Sequence, residues 1–439
     1  MKQAVFYAKN WLVRPQVRHT LRTLADLDRL SDEELVELNA SRRALILKHA
    51  FDTTRFYRES YTRAGITRAD LDRPDILEHL PTVTRQDIRE AFDSMISSEV
   101  RPDQIGRSST GGSTGAPLTI GTDPRHALEV ISWRRLRYWG AEPSDNAGYI
   151  YRAIPQGASA KLRAVYHFPT RRSYLGATSM TEAAMAAFIS DVQASDAKYW
   201  VSYVGALKIL AEYVSQKDIS FPALKFIWST AAPLPLSLRL YLEKVFRVPV
   251  FSQYGSCEFY WIASERKDRT GHDIDWDIRH VEILDDANRP VPRGEHGKLV
   301  ITDMINRAFP LIRYEIEDRS RFLPIAGSEA AFPVLDYVSG RTADIIPLKN
   351  GTKIPGEFWT TVFYDYAEKI RSFTVQQTKD YAITVSFVPG AGWTPALEKE
   401  LAARLETITR GTPVIVQAKA VDLHDRGKLS FVSSEVGKN

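Results

Sequence analysis

Between about residues 124 and 230, stretches with helical periodicity alternate with short apolar runs. This alternation constrains the fold more than any other feature. Helical pattern is legible from about Pro124 to Tyr138, Thr181 to Ala194 and Ala206 to Val214. Among these stand two runs of aromatic and β-branched residues, Tyr199-Trp200-Val201-Ser202-Tyr203-Val204 and Leu224-Lys225-Phe226-Ile227-Trp228-Ser229-Thr230. Short apolar runs alternating with helices of that length predict an α/β domain with substantial parallel sheet.

The texture changes from about Val248. Shorter β-like pieces follow at Val281–Leu284, Gly297–Thr302 and Pro310–Tyr314, with Pro290, Pro292, Gly294 and Gly297 marking a hairpin connection. A boundary is expected near Ser339-Gly340-Arg341, giving domains of 1–339 and 340–439. The second should hold strands at Phe373–Gln377, Ala382–Phe387 and Val414–Ala418. Its helix, from about Pro395 to Thr407, should be opened by Thr394 with proline at the first helical position. Near the start of the chain, Ser31-Asp32-Glu33-Glu34 is a capping box that opens a helix toward Ala50.

With 439 residues, 44% hydrophobic and 26% charged, the chain has ordinary globular composition and room for more than one core. A net charge of +4 gives no reason to expect nucleic acid. The single cysteine, Cys257, excludes an internal disulfide and any multi-cysteine metal site. No signal-peptide pattern and no membrane-spanning apolar run is present, so a cytoplasmic location is expected. Residues 1 to about 29 are basic and carry Phe6, Tyr7, Trp11, Leu12 and Val13. Such a segment either lies on an anionic membrane surface or docks on its own domain, and docking is the commoner fate. Peripheral membrane contact and a homodimer both stay open.

One further cation-rich region runs through Arg134, Arg135, Arg137, Arg152, Lys161, Arg163, Arg171 and Arg172. It would suit an acidic or phosphorylated substrate, although a solvated basic face is the more usual explanation.

Five strings carry chemistry. In the first, Ser108 to Leu118, three glycines and five hydroxyl residues fall within eight positions. Glycines let backbone N–H groups converge on a polyphosphate, and hydroxyls add donors and Mg²⁺ ligands. Standing alone it is equally a flexible surface turn, and no lysine follows Gly115 as a Walker loop would require. The second string, Trp228-Ser229-Thr230-Ala231-Ala232-Pro233-Leu234, puts small residues after an apolar strand, where a flat ring can lie against backbone. The third, Gln253-Tyr254-Gly255-Ser256-Cys257-Glu258, offers an aromatic face for a purine and a carboxylate for Mg²⁺. The fourth joins Ile312-Arg313-Tyr314-Glu315-Ile316-Glu317-Asp318 to Ser339-Gly340-Arg341-Thr342-Ala343-Asp344, a carboxylate and a guanidinium that suit a ribose. The fifth, His424-Asp425-Arg426-Gly427-Lys428-Leu429, is by itself a solvated turn.

In this order and spacing the five strings resemble the adenylate-forming superfamily, and most closely its phenylacetate-CoA ligase branch with the capsular-polysaccharide relatives called CapK-like. The resemblance covers nearly the whole chain. It implies an α/β fold: a large N-terminal domain of two αβ sheets plus a distorted β-barrel, hinged near Arg341 to a small mobile α+β C-terminal lid. It also implies ATP and Mg²⁺, with CoA as co-substrate.

By the same resemblance, Thr110, Gly111, Gly112, Ser113, Thr114 and Gly115 form the phosphate loop, and Thr114 approaches phosphate and metal. Ala231, Ala232 and Pro233 lie beneath adenine, with Tyr254 on its other face and Gly255 and Cys257 nearby. Glu258 holds Mg²⁺, Asp318 and Arg341 hold the ribose, and Lys428 reaches the α-phosphate. Tyr203, Trp228, Phe259 and Tyr260 flank these motifs and are candidates for an acid pocket that favours an aromatic substrate. Core packing explains those four equally well.

Three positions depart from the superfamily pattern. Leu118 stands where many members have lysine, Cys257 where a hydroxyl is usual, and Ala343 where the hinge carries Asp or Lys.

The implied reaction is activation of a carboxylic acid as an acyl adenylate with release of pyrophosphate, then transfer to CoA or a carrier protein's thiol. The alternatives are an adenylyltransferase acting on a hydroxyl, as in deazaflavin-cofactor adenylation, an amide- or ester-forming ligase of capsule or cell-wall polysaccharide, and a nucleotide-binding partner protein without turnover.

Overall fold

A computed structural model describes residues 1–24, 30–109, 118–151, 157–177, 180–217, 219–324, 333–341, 346–350, 353–354, 359, 362–363, 366, 369–390, 392–419 and 432–436. At residues 23, 109, 339–341, 353 and 371–372 only the backbone is described. The chain divides into two compact units. One comprises residues 3–138 and 253–337, the other 139–252 and 338–439.

The first unit opens with helices α1 (Lys2–Val13), α2 (Pro15–Leu24), α3 (Asp32–Thr53) and α4 (Arg55–Arg63). The capping box at α3 is formed as read: the Ser31 hydroxyl accepts from the Glu34 amide and the Glu34 carboxylate from the Ser31 amide. A single turn, α5 (Ile76–His79), leads to α6 (Arg85–Met95), where Thr84 and Asp87 form a second box. Strands β1 (Gly106–Ser109) and β2 (Thr119–Thr122) then pair antiparallel, so the glycine stretch connects two partnered strands. Helix α7 (Glu129–Trp139) follows.

The second unit takes up the chain with β3 (Ala147–Tyr151), α8 (Gly157–His167), β4 (Arg172–Gly176), α9 (Glu182–Ala194), β5 (Tyr199–Tyr203), α10 (Val204–Lys217), β6 (Phe226–Thr230), α11 (Leu236–Phe246) and β7 (Val250–Tyr254). The strands lie parallel in the order β4-β3-β5-β6-β7. The alternation therefore reads correctly as an α/β layer. Between β3 and β5 the direction of winding reverses, because β4 lies on one side of β3 and every later strand on the other.

Past Ser252 the chain re-enters the first unit. The end of β7 pairs antiparallel with β8 (Ala263–Glu265), which pairs with β9 (His272–Ile274). Strands β10 (Arg279–Leu284), β11 (Gly297–Asp303) and β12 (Tyr314–Ser320) form an antiparallel ladder. Among the described residues this ladder is an open sheet, and a closed barrel is not formed. The β-like piece expected at 310–314 becomes a strand only at Tyr314. Arg313 is left-handed (φ 50°) and turns its fully buried guanidinium onto Glu282 at 3.0 Å.

The second unit closes with β13 (Ser339–Arg341), β14 (Ile346–Pro347), β15 (Lys353–Ile354), β16 (Ile370–Gln377), β17 (Ile383–Pro389), α12 (Pro395–Ile408), β18 (Val414–Ala418) and β19 (Val432–Ser434). Thr394 caps α12 with Pro395 in its first turn, as expected. The last sheet runs β18-β17-β16-β19. Its inner side chains, among them Phe373, Val375, Val385 and Phe387, belong to one continuous hydrophobic core with Trp200, Leu207, Leu242 and Phe246 of the parallel layer.

Candidate functional site

In the first unit, a tight return places Tyr254 and Glu258 close together. Gly255 is required there: a Cβ at this position would lie 2.2 Å from the Tyr260 carbonyl oxygen and 2.2 Å from the Gln253 side-chain nitrogen. Tyr260, left-handed at φ 62°, donates its amide to the Ser256 carbonyl at 2.7 Å and closes the turn. The turn is anchored from below by Arg279, fully buried, which donates to the carbonyls of Phe259 (2.7 Å) and Trp261 (3.2 Å). Its charge is balanced by Asp303 at 2.7 Å. A buried guanidinium with that many acceptors fixes the backbone just after Glu258.

Strand β12 supplies the facing groups through an irregularity. Glu315 pairs with Val300, but Arg319 pairs with Lys298, so three residues of β12 stand against one of β11. Glu317 sits in this bulge at φ 65°. Bulges re-aim side chains, and here the bulge brings Asp318 to Tyr254, whose hydroxyl donates to Asp318 Oδ2 at 2.8 Å. Just before the bulge, the Tyr314 hydroxyl donates to Glu258 Oε1 at 3.1 Å. Burial pushes the Tyr314 phenol well above its ordinary value, and the Glu258 charge pushes the same way.

Residues 80–85 run beside β12. The Val83 amide donates to the Arg313 carbonyl and the Glu315 amide to the Val83 carbonyl, at 2.9 and 2.8 Å. The Arg313 guanidinium also donates to the Leu80 carbonyl. This lacing sets Arg85, the first residue of α6, 3.9 Å from Glu258 and 3.7 Å from Glu317. The Glu258 side chain is 4% exposed and that of Arg85 11%, so the two charges meet in a poorly solvated place. Cys257, next to Glu258, is exposed.

A single protein carboxylate suits Mg²⁺, which keeps waters and substrate phosphates as ligands. Glu258 presents one, and among the described residues no three His, Cys, Asp or Glu gather as a complete metal cage. The residues fit that ion.

In the second unit, Ala231 follows β6 in a left-handed conformation (φ 72°), with Ala232 and Pro233 after it. A non-glycine residue held at positive φ is a local strain that clusters at functional turns. Where the winding reverses, the last residues of β3 and β5 face each other: Tyr151 and Tyr203, ring centroids 5.4 Å apart. Tyr149 continues the row, 5.7 Å from Tyr151 and stacked on Tyr174 at 5.6 Å. The carboxyl ends of parallel strands at a switch point are where α/β sheets bind ligands.

The candidate residues thus fall into groups. Tyr254, Gly255, Cys257, Glu258 and Asp318 are assembled in the first unit, together with Arg85, Tyr314 and Glu317. Ala231, Ala232, Pro233 and Tyr203 lie at strand ends of the second. Of the remaining pocket candidates, Trp228 (6% exposed) and Phe259 (1%) are core residues, the first near Trp139 and the second under Arg279; Tyr260 is 38% exposed. Thr110, Gly111, Gly112, Ser113, Thr114, Gly115, Ala343 and Lys428 lie outside the described residues. Arg341 ends β13, with its backbone alone described.

Sequence reasoning missed Arg85, Tyr314, Glu317, Tyr149, Tyr151 and Tyr174. Of these, Tyr314 and Glu317 had a signal, since both lie within the string that ends at Asp318.

No family model matches the chain. It is 28% identical to the phenylacetate-coenzyme A ligase of Escherichia coli strain K12 over 354 residues, covering 76% of this chain and 77% of that protein. The Pseudomonas putida enzyme of the same name is 25% identical, with 75% of each chain covered. CapK of Staphylococcus aureus is 22% identical over 69% of this chain and 66% of its own. Among solved structures, a 2-hydroxyisobutyryl-CoA ligase in its postadenylation state superposes with a TM-score of 0.74 at 17% identity, covering 93% of this chain and 90% of that one. An anthranilate CoA ligase bound to anthranoyl-AMP gives 0.55 at 14% identity, covering 75% and 65%. The chain therefore has the fold of the adenylate-forming CoA ligases.

Proposed function

We propose that this chain, a relative of the phenylacetate-coenzyme A ligases, activates a carboxylic acid with ATP and passes the acyl group to CoA. In the first half-reaction the acid's carboxylate attacks the α-phosphorus in line. The bond from that phosphorus to the bridging oxygen breaks, and pyrophosphate leaves with the oxygen. In the second, the CoA thiol loses its proton and attacks the acyl carbonyl, and AMP leaves with the oxygen the carboxylate contributed. Neither step needs a protein nucleophile; both depend on positioning and charge neutralisation.

The observation that supports this reading best is the bulge-directed pairing of Tyr254 with Asp318 beside the buried Glu258. In it, Asp318 and Arg341 take the ribose hydroxyls, Tyr254 stacks on the adenine, and Ala231, Ala232 and Pro233 are assigned to the same base. Glu258 and Thr114 hold Mg²⁺. When bound, that ion offsets negative charge on the ATP phosphates. Thr110 to Gly115 contact the phosphates through backbone amides. Lys428, carried by residues 340–439 acting as the lid, offsets charge between the α-phosphate and the incoming carboxylate.

The tyrosine row at the switch point favours a flat, aromatic acid. Tilted and stacked rings can take a further ring beside them, and the partly exposed Tyr149, Tyr151, Tyr174 and Tyr203 form such a row. A panel of aryl, arylacetic and short aliphatic acids, scored by pyrophosphate release with and without CoA, tests the reading. Aromatic acids should release pyrophosphate and form acyl-CoA. Release that is indifferent to CoA and yields an amide or ester with an added amine or hydroxyl would move the acceptor toward a polysaccharide ligase. Transfer of AMP itself to a hydroxyl would make the chain an adenylyltransferase.

A further inference from the structure

Helices α1 and α2 dock on their own unit through one face only. Phe6 is buried against Trp133, 5.2 Å between ring centroids. Arg14 pairs with Glu129, and the Thr20 hydroxyl accepts from the Ala127 amide at 3.0 Å. The opposite face of α1 is apolar. Val5, Ala8 and Leu12, at the spacing of one helical stripe, are all exposed, and Trp11 and Val13 extend the patch to the end of the helix. Leu12 is 85% exposed, Val13 67% and Trp11 47%. An amphipathic helix on a globular unit normally turns its apolar stripe inward; here a second stripe points outward.

The two helices themselves carry charge of one sign, with Arg14 between them paired to Glu129. Residues 1–24 contain Lys2, Lys9, Arg14, Arg18 and Arg22 and no aspartate or glutamate. Five of the chain's 58 basic residues and none of its 54 acidic ones fall there, so the rest of the chain is net negative by one. The whole positive excess is concentrated in these two helices. Two of the cations are held at the apolar tip itself: the guanidinium carbons of Arg18 and Arg22 lie 5.1 and 6.0 Å from the Trp11 ring centroid.

We propose that α1 and α2 form a docking surface for an anionic lipid bilayer, with Leu12, Val13 and Trp11 entering the headgroup boundary and Arg18 and Arg22 meeting lipid phosphates. Tryptophan and arginine are suited to that boundary, since each has an apolar body and a polar tip. Apolar burial and attraction to anionic lipid act together in such surface helices. A second copy of the chain fits less well, because a two-fold contact would set the same cations against themselves. No helix among the described residues is long and apolar enough to cross a membrane, so the contact is interfacial.

The test is co-sedimentation of the full chain with vesicles of phosphatidylcholine alone and of phosphatidylcholine containing phosphatidylglycerol. Binding to the anionic vesicles should be tighter by about tenfold or more and should weaken as salt is raised. Leu12→Ser, at an exposed position where the fold should survive, should weaken it by about tenfold. Arg18→Gln combined with Arg22→Gln should abolish the preference for anionic lipid while acid-dependent pyrophosphate release stays unchanged. Equal binding to both vesicles, binding indifferent to these substitutions, or none at all would overturn the proposal. So would a concentration-dependent dimer that Leu12→Ser dissociates without any vesicle binding, because a second copy would then cover the patch.

Discussion

The hydroxyl of Tyr254 and the carboxylate of Asp318 are joined by a 2.8 Å hydrogen bond, although 64 positions separate them in sequence. The bond ties the ring proposed to face adenine to the group proposed to hold ribose. Its loss should therefore loosen nucleotide binding more than it slows chemistry. Tyr254→Phe keeps the ring and should raise the KM for ATP about tenfold, the scale of a hydrogen bond to a charged acceptor, with kcat changed much less. A fall in kcat at constant KM would place the pair elsewhere in the reaction.

Glu258 is nearly buried and accepts from Tyr314. Glu258→Gln retains that acceptor and the shape of the side chain but removes the charge proposed for Mg²⁺. Pyrophosphate release should drop by about two to three orders of magnitude in a variant that unfolds at the normal temperature. Near-normal turnover would remove the metal role.

Arg85 makes a separate prediction because two carboxylates, Glu258 and Glu317, share it. Arg85→Met removes the cation that both carboxylates share and should lower kcat/KM for ATP at least about tenfold. Arg85→Lys should recover part of the loss. Equal effects from both substitutions would indicate that packing, and not charge, is what the residue supplies.

Cys257 is exposed and adjoins Glu258 in the chain. Saturating ATP with Mg²⁺ should slow its reaction with a maleimide, and the labelled protein should fail to release pyrophosphate. Labelling at an unchanged rate, or with activity intact, would set the thiol apart from the nucleotide.

Much of the architecture was legible because local chemistry declares it. The Ser31–Glu34 box, the Thr394–Pro395 helix start and the aromatic strands β5 and β6 are short-range patterns, and the structure contains each of them. The candidate site was legible where short strings carry it, as from Tyr254 to Glu258 and at Asp318. Arg85 could not be read because nothing within residues 80–85 announces that they run beside β12. Nor could the bulge: Glu317 and Arg313 hold left-handed backbones without glycine, and at Arg313 the buried bonds to Glu282 and the Leu80 carbonyl accompany it. Trp228 and Phe259 show the converse, aromatic residues beside a motif that are buried in the core.

Lys428 is proposed to act in the first half-reaction. Lys428→Ala should slow adenylate formation by about two to three orders of magnitude while ATP affinity changes little. Supplied with a chemically prepared acyl adenylate, the variant should still form the thioester at close to the normal rate. If the two half-reactions fall equally, the lysine does not leave the site between them.

The central claim is reversible formation of an acyl adenylate, and acid-dependent exchange of labelled pyrophosphate into ATP tests it most directly. With Mg²⁺, ATP and an arylacetic or aryl acid, and with CoA omitted, label should enter ATP. Exchange should fall to background without the acid and in Glu258→Gln. Acyl-CoA produced with no exchange under any acid, or exchange that proceeds equally without acid, would contradict the account.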